Sequence, residues 1–135
     1  MNVKSYLNQA RMLDKRIDCK LEQVERLRAL AERTTTVLSS QPKGTSGTNR
    51  TEYCVQKIWE LEREINADID KLIDLKREIQ DAVFHMKNDQ YRTLLEYRYL
   101  CGNTWEKIAE KMDIEVRWVY QLHGRALQEI SIRTC

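Results

Sequence analysis

A chain of 135 residues with one Pro, four Gly, one Phe and 33% charged side chains points to helices rather than sheet, in a single small domain or one small domain plus an extended element. The formal charge of +2 is too slight to mark a nucleic-acid binder by itself. The four cysteines, Cys19, Cys54, Cys101 and Cys135, form no C-x-x-C pair, which argues against a zinc site or a disulfide framework and for a reduced, cytoplasmic setting.

Charge is unevenly spread. Residues 1–33 carry eight basic and five acidic side chains, residues 52–86 five and nine, and residues 87–135 eight and seven. Two segments of opposite sign invite pairing with each other. No apolar run approaches membrane-spanning length, and the first twenty residues mix charged with apolar groups, unlike a signal peptide.

Residues 1–34 predict one long helix. Tyr6, Ala10, Leu13, Ile17, Val24, Leu27 and Ala31 follow alternating steps of four and three, with Lys20 the one polar interruption. That spacing is a coiled-coil seam, which Leu7, Leu21 and Leu30 widen. Residues 35–50 hold Pro42, Gly44 and Gly47, lack periodicity and lack acids, and are expected to be a flexible loop; Lys43 and Arg50 within it are of a type that touches phosphates.

Residues 51–87 predict a second long helix pairing with the first, with Val55, Ile58, Leu61, Ile65, Ile69, Leu72, Ile79, Val83 and Met86 inward. Glu60, Glu64, Asp68, Asp70, Asp74 and Glu78 fall on its outer face. With Lys57, Arg63, Lys71, Lys76 and Arg77 among them, they read as solvated salt-bridge partners rather than an acid/base or metal cluster. The two helices should form an antiparallel hairpin, closed within one chain or between two, so a homodimer through the long helices is one expectation.

Asn88 and Asp89 are good caps for a helix over 90–100 that stops at Gly102. Thr104 suits the N-cap of a short helix over 105–112, with Ile108, Ala109 and Met112 inward. The corner Met112-Asp113-Ile114-Glu115 turns the chain, and Asp tolerates the left-handed backbone such corners need. A last helix over 116–132 places Val119, Leu122, Ala126, Leu127 and Ile130 inward and Arg117, Trp118, Tyr120, Gln121, His123 and Arg125 outside, with Trp118 expected to pack on Trp105 or the long helices. Two helices joined by so short a corner make a helix-turn-helix, and residues 88–135 its domain. The fold class is therefore all-α: a long antiparallel helical hairpin followed by a small C-terminal helix-turn-helix domain.

From Leu95 to Ile130, including Arg98-Tyr99-Leu100-Cys101-Gly102, the chain resembles region four of bacterial sigma factors, and as a whole it resembles small phage-encoded proteins described as sigma-like or late-transcription regulators. Two departures are visible: Asp113 stands where Gly is common, and Glu115 where Ser or Thr usually caps. The resemblance implies a DNA-binding regulator in a bacterial host cytoplasm, with RNA polymerase as a further candidate partner. By position it implies base contacts from Val116, Arg117, Tyr120 and Gln121.

The side-chain chemistry is compatible with that role. Arg117 can fork onto guanine, Gln121 onto adenine, and Tyr120 can meet a phosphate or a thymine methyl. Lys107, Lys111, His123 and Arg125 are the candidates for contacts to the sugar-phosphate backbone. No phosphate loop, nucleophile–His–acid trio or H-E-x-x-H is present, so neither an enzyme nor a cofactor or metal is expected. Two alternatives remain: a DNA-packaging recognition subunit of the small-terminase kind, and an interaction module that contacts RNA polymerase without binding DNA.

Overall fold

A computed structural model describes the backbone of residues 2–40 and 45–130 and the side chains of residues 2–33 and 49–130. Every regular element among them is helical: α1 (Val3–Ser40), α2 (Thr45–Phe84), α3 (Asp89–Leu95), α4 (Trp105–Met112) and α5 (Val116–Glu129), with a wide helical turn over Glu96–Leu100 continuing α3. No described helix is long and apolar enough to cross a membrane.

The chain divides into two compact units, residues 15–70 and residues 1–14 with 71–135. In the first, α1 and α2 run antiparallel. Lys20 pairs with Asp68 at 2.7 Å and Glu64 at 3.4 Å, and Arg28 with Glu62 at 3.5 Å, so rising numbers on one helix meet falling numbers on the other. Ile17, Val24, Cys54, Leu61 and Ile65 are its buried apolar residues. Lys20 breaks the α1 seam because a carboxylate waits opposite it. The hydrogen bond to Asp68 holds the Lys20 ammonium above its ordinary pKa, against the desolvation that lowers it.

The second unit contains all three short helices. Asn2 Oδ1 accepts from Ser5 N at 2.8 Å and caps the start of α1. Leu7, Ala10, Ile79, Leu94, Leu95, Ile108 and Val119 are fully buried here. Asn88 caps α3, its Oδ1 accepting from Gln90 N and Tyr91 N. The wide turn follows from Cys101 N bonding to Glu96 O at 2.9 Å, five residues back, and Asn103 N to Tyr97 O at 3.0 Å. Gly102, at φ +76°, takes the left-handed conformation that ends the element.

Cations satisfy the carbonyls this turn leaves open. Arg11 Nη1 donates to the carbonyls of Arg98 (3.2 Å) and Asn103 (3.3 Å), and Lys76 Nζ to that of Leu100 (3.1 Å) while pairing with Asp14 at 3.7 Å. The start of α1 and the C-terminal half of α2 are thus bonded to the segment that leads into α4.

Several expectations need correction. The long helices extend to Ser40 and from Thr45, so most of the stretch expected as a loop over 35–50 is helical; nothing before Pro42 forbids a helix, and residues 41–44 lie outside the described set. Asp68, expected on the outer face, is buried on Lys20. Val55 and Ile69, expected inward, are 57% and 37% exposed, as are Leu21 and Leu30 at 46% and 44%, because a hairpin offers each helix one neighbour and covers only a narrow row. Cys19 and Cys101 are exposed and Cys54 is buried, while Cys135 lies outside the described residues.

A candidate nucleic-acid interface on the helix-turn-helix

Helix α4 begins where Thr104, with extended backbone, turns its Oγ1 to accept from Lys107 N at 3.2 Å. Glu106 in the first turn meets the positive end of the helix dipole. The helix stops at Asp113, which adopts φ 58° and ψ 46°, and Ile114 N bonds back to Ala109 O at 3.0 Å. That is the left-handed corner the sequence suggested, made with Asp in place of Gly. Helix α5 then starts at Glu115, whose side chain makes no capping bond, so its first amides point outward without an internal acceptor.

Ile108 and Ala109 of α4 and Val119, Leu122 and Ala126 of α5 are buried, as are Leu94, Leu95 and Tyr99. Helix α5 packs on both α3 and α4. These residues set which way α5 faces. Arg117, Tyr120, Gln121, Gly124, Arg125 and Gln128 are all exposed, Tyr120 at 50%, and Val116 is half-buried at the first position of the helix. The four positions Val116, Arg117, Tyr120 and Gln121 therefore share the N-terminal half of α5, with three of them open to solvent.

The aromatic support beneath this face is layered. The Trp105 ring lies 4.6 Å from the His123 ring and 5.5 Å from that of Tyr120, both edge-on, and the Arg98 guanidinium stands 3.8 Å above it. Arg98 also donates to Asn103 O at 3.1 Å. Burial lowers the Arg98 pKa and raises that of Tyr99. Trp118 is half-buried with the Arg125 guanidinium 5.2 Å above its ring; it is Tyr120 and His123, and not Trp118, whose rings meet Trp105.

His123 is the clearest correction. It is 6% exposed, and its Nε2 shares a 2.7 Å hydrogen bond with the Tyr99 hydroxyl. Burial, reinforced by Lys4 and Arg98, pushes its pKa down to about 4, so the ring is neutral near pH 7. A buried neutral imidazole does not contact a phosphate, and His123 is a core residue.

The other candidates for backbone contacts stay on the surface. Lys107 is exposed and 3.8 Å from Glu110; Lys111 is exposed, donates to Asn103 Oδ1 at 3.2 Å and lies 5.2 Å above the Tyr97 ring; Arg125 is exposed over Trp118. Gly124 is exposed on the outer side of α5. A Cβ built there meets nothing within 4 Å, so none of the described residues requires the glycine. Among the described residues no three His, Cys, Asp or Glu side chains converge as metal ligands.

Residues 39–131 match the model of a family described as a protein of unknown function, DUF1492, and the chain belongs to that family. No curated protein and no solved structure matches it.

Proposed function

We propose that this DUF1492 member is a sequence-reading DNA-binding protein of the sigma region-four-like, phage regulatory type, with α5 as its recognition helix. The observation that carries the reading is the outward face of α5. Arg117, Tyr120 and Gln121 stand exposed over its first two turns, followed by Gly124, a glycine that the packing of the described residues does not need. Glycine inside a helix costs about 1 kcal/mol relative to alanine. A position that accepts this cost without an internal neighbour fits a surface approached closely from outside, as a sugar-phosphate chain approaches a helix lying in the major groove.

In this arrangement the Arg117 fork donates to guanine O6 and N7, and the Gln121 amide pairs with adenine N6 and N7. Tyr120, held edge-on by Trp105, has little side-chain freedom to lose on binding. Lys107, Lys111 and Arg125 neutralise phosphates and fix the docking without reading sequence. The outward amides at the start of α5 add a favourable site for a phosphate oxygen.

A site selected from random duplexes, followed by fluorescence anisotropy, tests this. Arg117→Ala and Gln121→Ala should each weaken specific binding by about 1–3 kcal/mol. Unchanged affinity would remove α5 as the reading face.

One observation favours a second reading. Residues 87–135 carry seven acidic side chains against eight basic ones, and Glu106 and Glu110 are exposed on α4. Such a balance suits a protein partner such as RNA polymerase. Duplex binding that falls steeply with salt supports the DNA reading, because each neutralised phosphate releases counterions; no duplex binding at low salt supports the protein partner.

A further inference from the structure

The compact unit 15–70 leaves a partly apolar row exposed on α2. On α2 the hairpin buries Cys54, Leu61, Ile65 and Asp68, whereas about 100° round the helix a second row runs through Val55, Trp59, Glu62, Asn66 and Ile69. Its steps are four, three, four and three, the spacing of a coiled-coil seam. Val55, Trp59 and Ile69 are 57%, 60% and 37% exposed, and Glu62 and Asn66 are exposed as well. Val55, Ile58 and Trp59 line a shallow groove of about 610 Å³ on this flank.

We propose that this flank of α2 is the interface with a second copy of the chain, the two α2 helices crossing antiparallel. The character of the row reads the same in both directions from Trp59 to Ile69: apolar, polar, polar, apolar. A two-fold axis midway between Glu62 and Asn66 places Trp59 against Ile69 of the second copy and Glu62 against its Asn66, whose amide donates to the carboxylate. Each apolar group then meets an apolar group, and each polar group meets a complementary one. A parallel pairing would instead set Glu62 against Glu62. Isologous two-fold contacts need this self-complementarity.

Charge does not oppose the approach as strongly as the acidic composition of α2 suggests. Glu60 is paired with Lys57, and Glu64 and Asp68 with Lys20, all within one chain. Two hairpins joined on this face form a four-helix arrangement, which covers the surface a lone hairpin leaves bare. The inference does not depend on whether α5 reads DNA.

Sedimentation equilibrium of the full chain over a dilution series tests it. The wild type should dissociate reversibly from dimer to monomer. Trp59→Glu should raise the dimer Kd by about 30-fold, the size of effect typical of an aromatic interface anchor, with helicity by circular dichroism unchanged because Trp59 lies on the surface. Asn66→Lys, opposite Glu62 of the second copy, should hold or lower the Kd. A wild type that stays monomeric or forms a larger ring, or a Trp59→Glu variant with the wild-type Kd, would overturn the interface. An Asn66→Lys variant with a clearly raised Kd would overturn the antiparallel pairing.

Discussion

Lowering the pH from 7 to 5 should destabilise this protein through one side chain, His123, and replacing it with Gln should remove that part of the loss. The imidazole is 6% exposed, bonded to Tyr99 at 2.7 Å, and faced by Lys4 and Arg98, and its pKa falls to about 4 in the folded state. In an unfolded chain a histidine titrates near 6.5. Because the folded value is the lower one, the unfolded state binds the proton first as pH falls. The stabilisation from keeping the ring neutral is complete above about pH 6.5. It shrinks as pH falls towards 4, below which both states are protonated and the loss stops growing.

Linkage puts the loss between pH 7 and pH 5 at roughly 1–2 kcal/mol, after a discount for relaxation around the charged ring. The assay is urea unfolding, followed by circular dichroism at several pH values, of the wild type and of His123→Gln. Gln keeps a polar group where Nε2 meets the Tyr99 hydroxyl but does not titrate. His85 and the carboxylates are common to both proteins and cancel in the difference. The two stability curves should converge as pH falls, and parallel curves would refute the assignment of a depressed pKa to this histidine. The effect also reaches the proposed reading face, because Trp105 touches both His123 and Tyr120.

The remaining predictions concern the hairpin, the recognition helix and the extent of the C-terminal unit. Lys20→Ala removes the ammonium paired with the buried Asp68 carboxylate and should cost about 3 kcal/mol in urea unfolding, whereas Lys20→Met combined with Asp68→Leu should return most of it; equal effects of the single and double changes would contradict the pairing. Gly124→Ala should stabilise the fold by about 0.5–1 kcal/mol, since open space surrounds the position, while weakening duplex binding in anisotropy; a variant more stable and equally tight would show that close approach at Gly124 is not used. A fragment of residues 88–135 lacks the buried Leu7, Ala10, Ile79 and Val83 of its unit. At about 1.5–3 kcal/mol for each large side chain, their loss rivals the whole stability of a small domain, so the fragment should show no cooperative thermal transition by circular dichroism.

Local backbone chemistry made the helix boundaries legible. Asn88, Thr104 and Asp113 act through atoms two to four residues away, and all three take the cap or corner conformation their side chains favour. The buried row of α5 was legible for the same reason, with Val119, Leu122 and Ala126 at helical spacing. For His123 polarity suggests the outer face, whereas position puts it inward. It lies four residues after Val119 and three before Ala126, inside the arc that faces the core, and Tyr99 supplies the partner that makes burial affordable. The same holds for Asp68, three residues after Ile65 and four before Leu72. Its signal was present: a lone charge in the α1 seam, Lys20, calls for a lone opposite charge in the facing seam.

What sequence spacing could not supply was the reach of the C-terminal unit. Divided by periodicity, the chain gives a helix-turn-helix domain over residues 88–135, separate from a hairpin. The compact unit takes in residues 1–14 and 71–87 as well, and besides buried Leu7, Ala10, Ile79 and Val83 these segments carry donors for the wide turn over Glu96–Leu100. Its five- and six-residue hydrogen bonds leave carbonyls near the end of α3 without helical donors. Arg11 and Lys76 fill those places from elements more than twenty residues away in the chain. No pattern within residues 88–103 announces donors so distant, yet without them three carbonyls beside the buried Tyr99 would lose these bonds. The helix-turn-helix is consequently anchored through main-chain oxygens just before Thr104, where α4 begins. Arg11 and Lys76 therefore hold the segment from which α4 starts, and Trp105 at the head of α4 carries the ring contact to Tyr120.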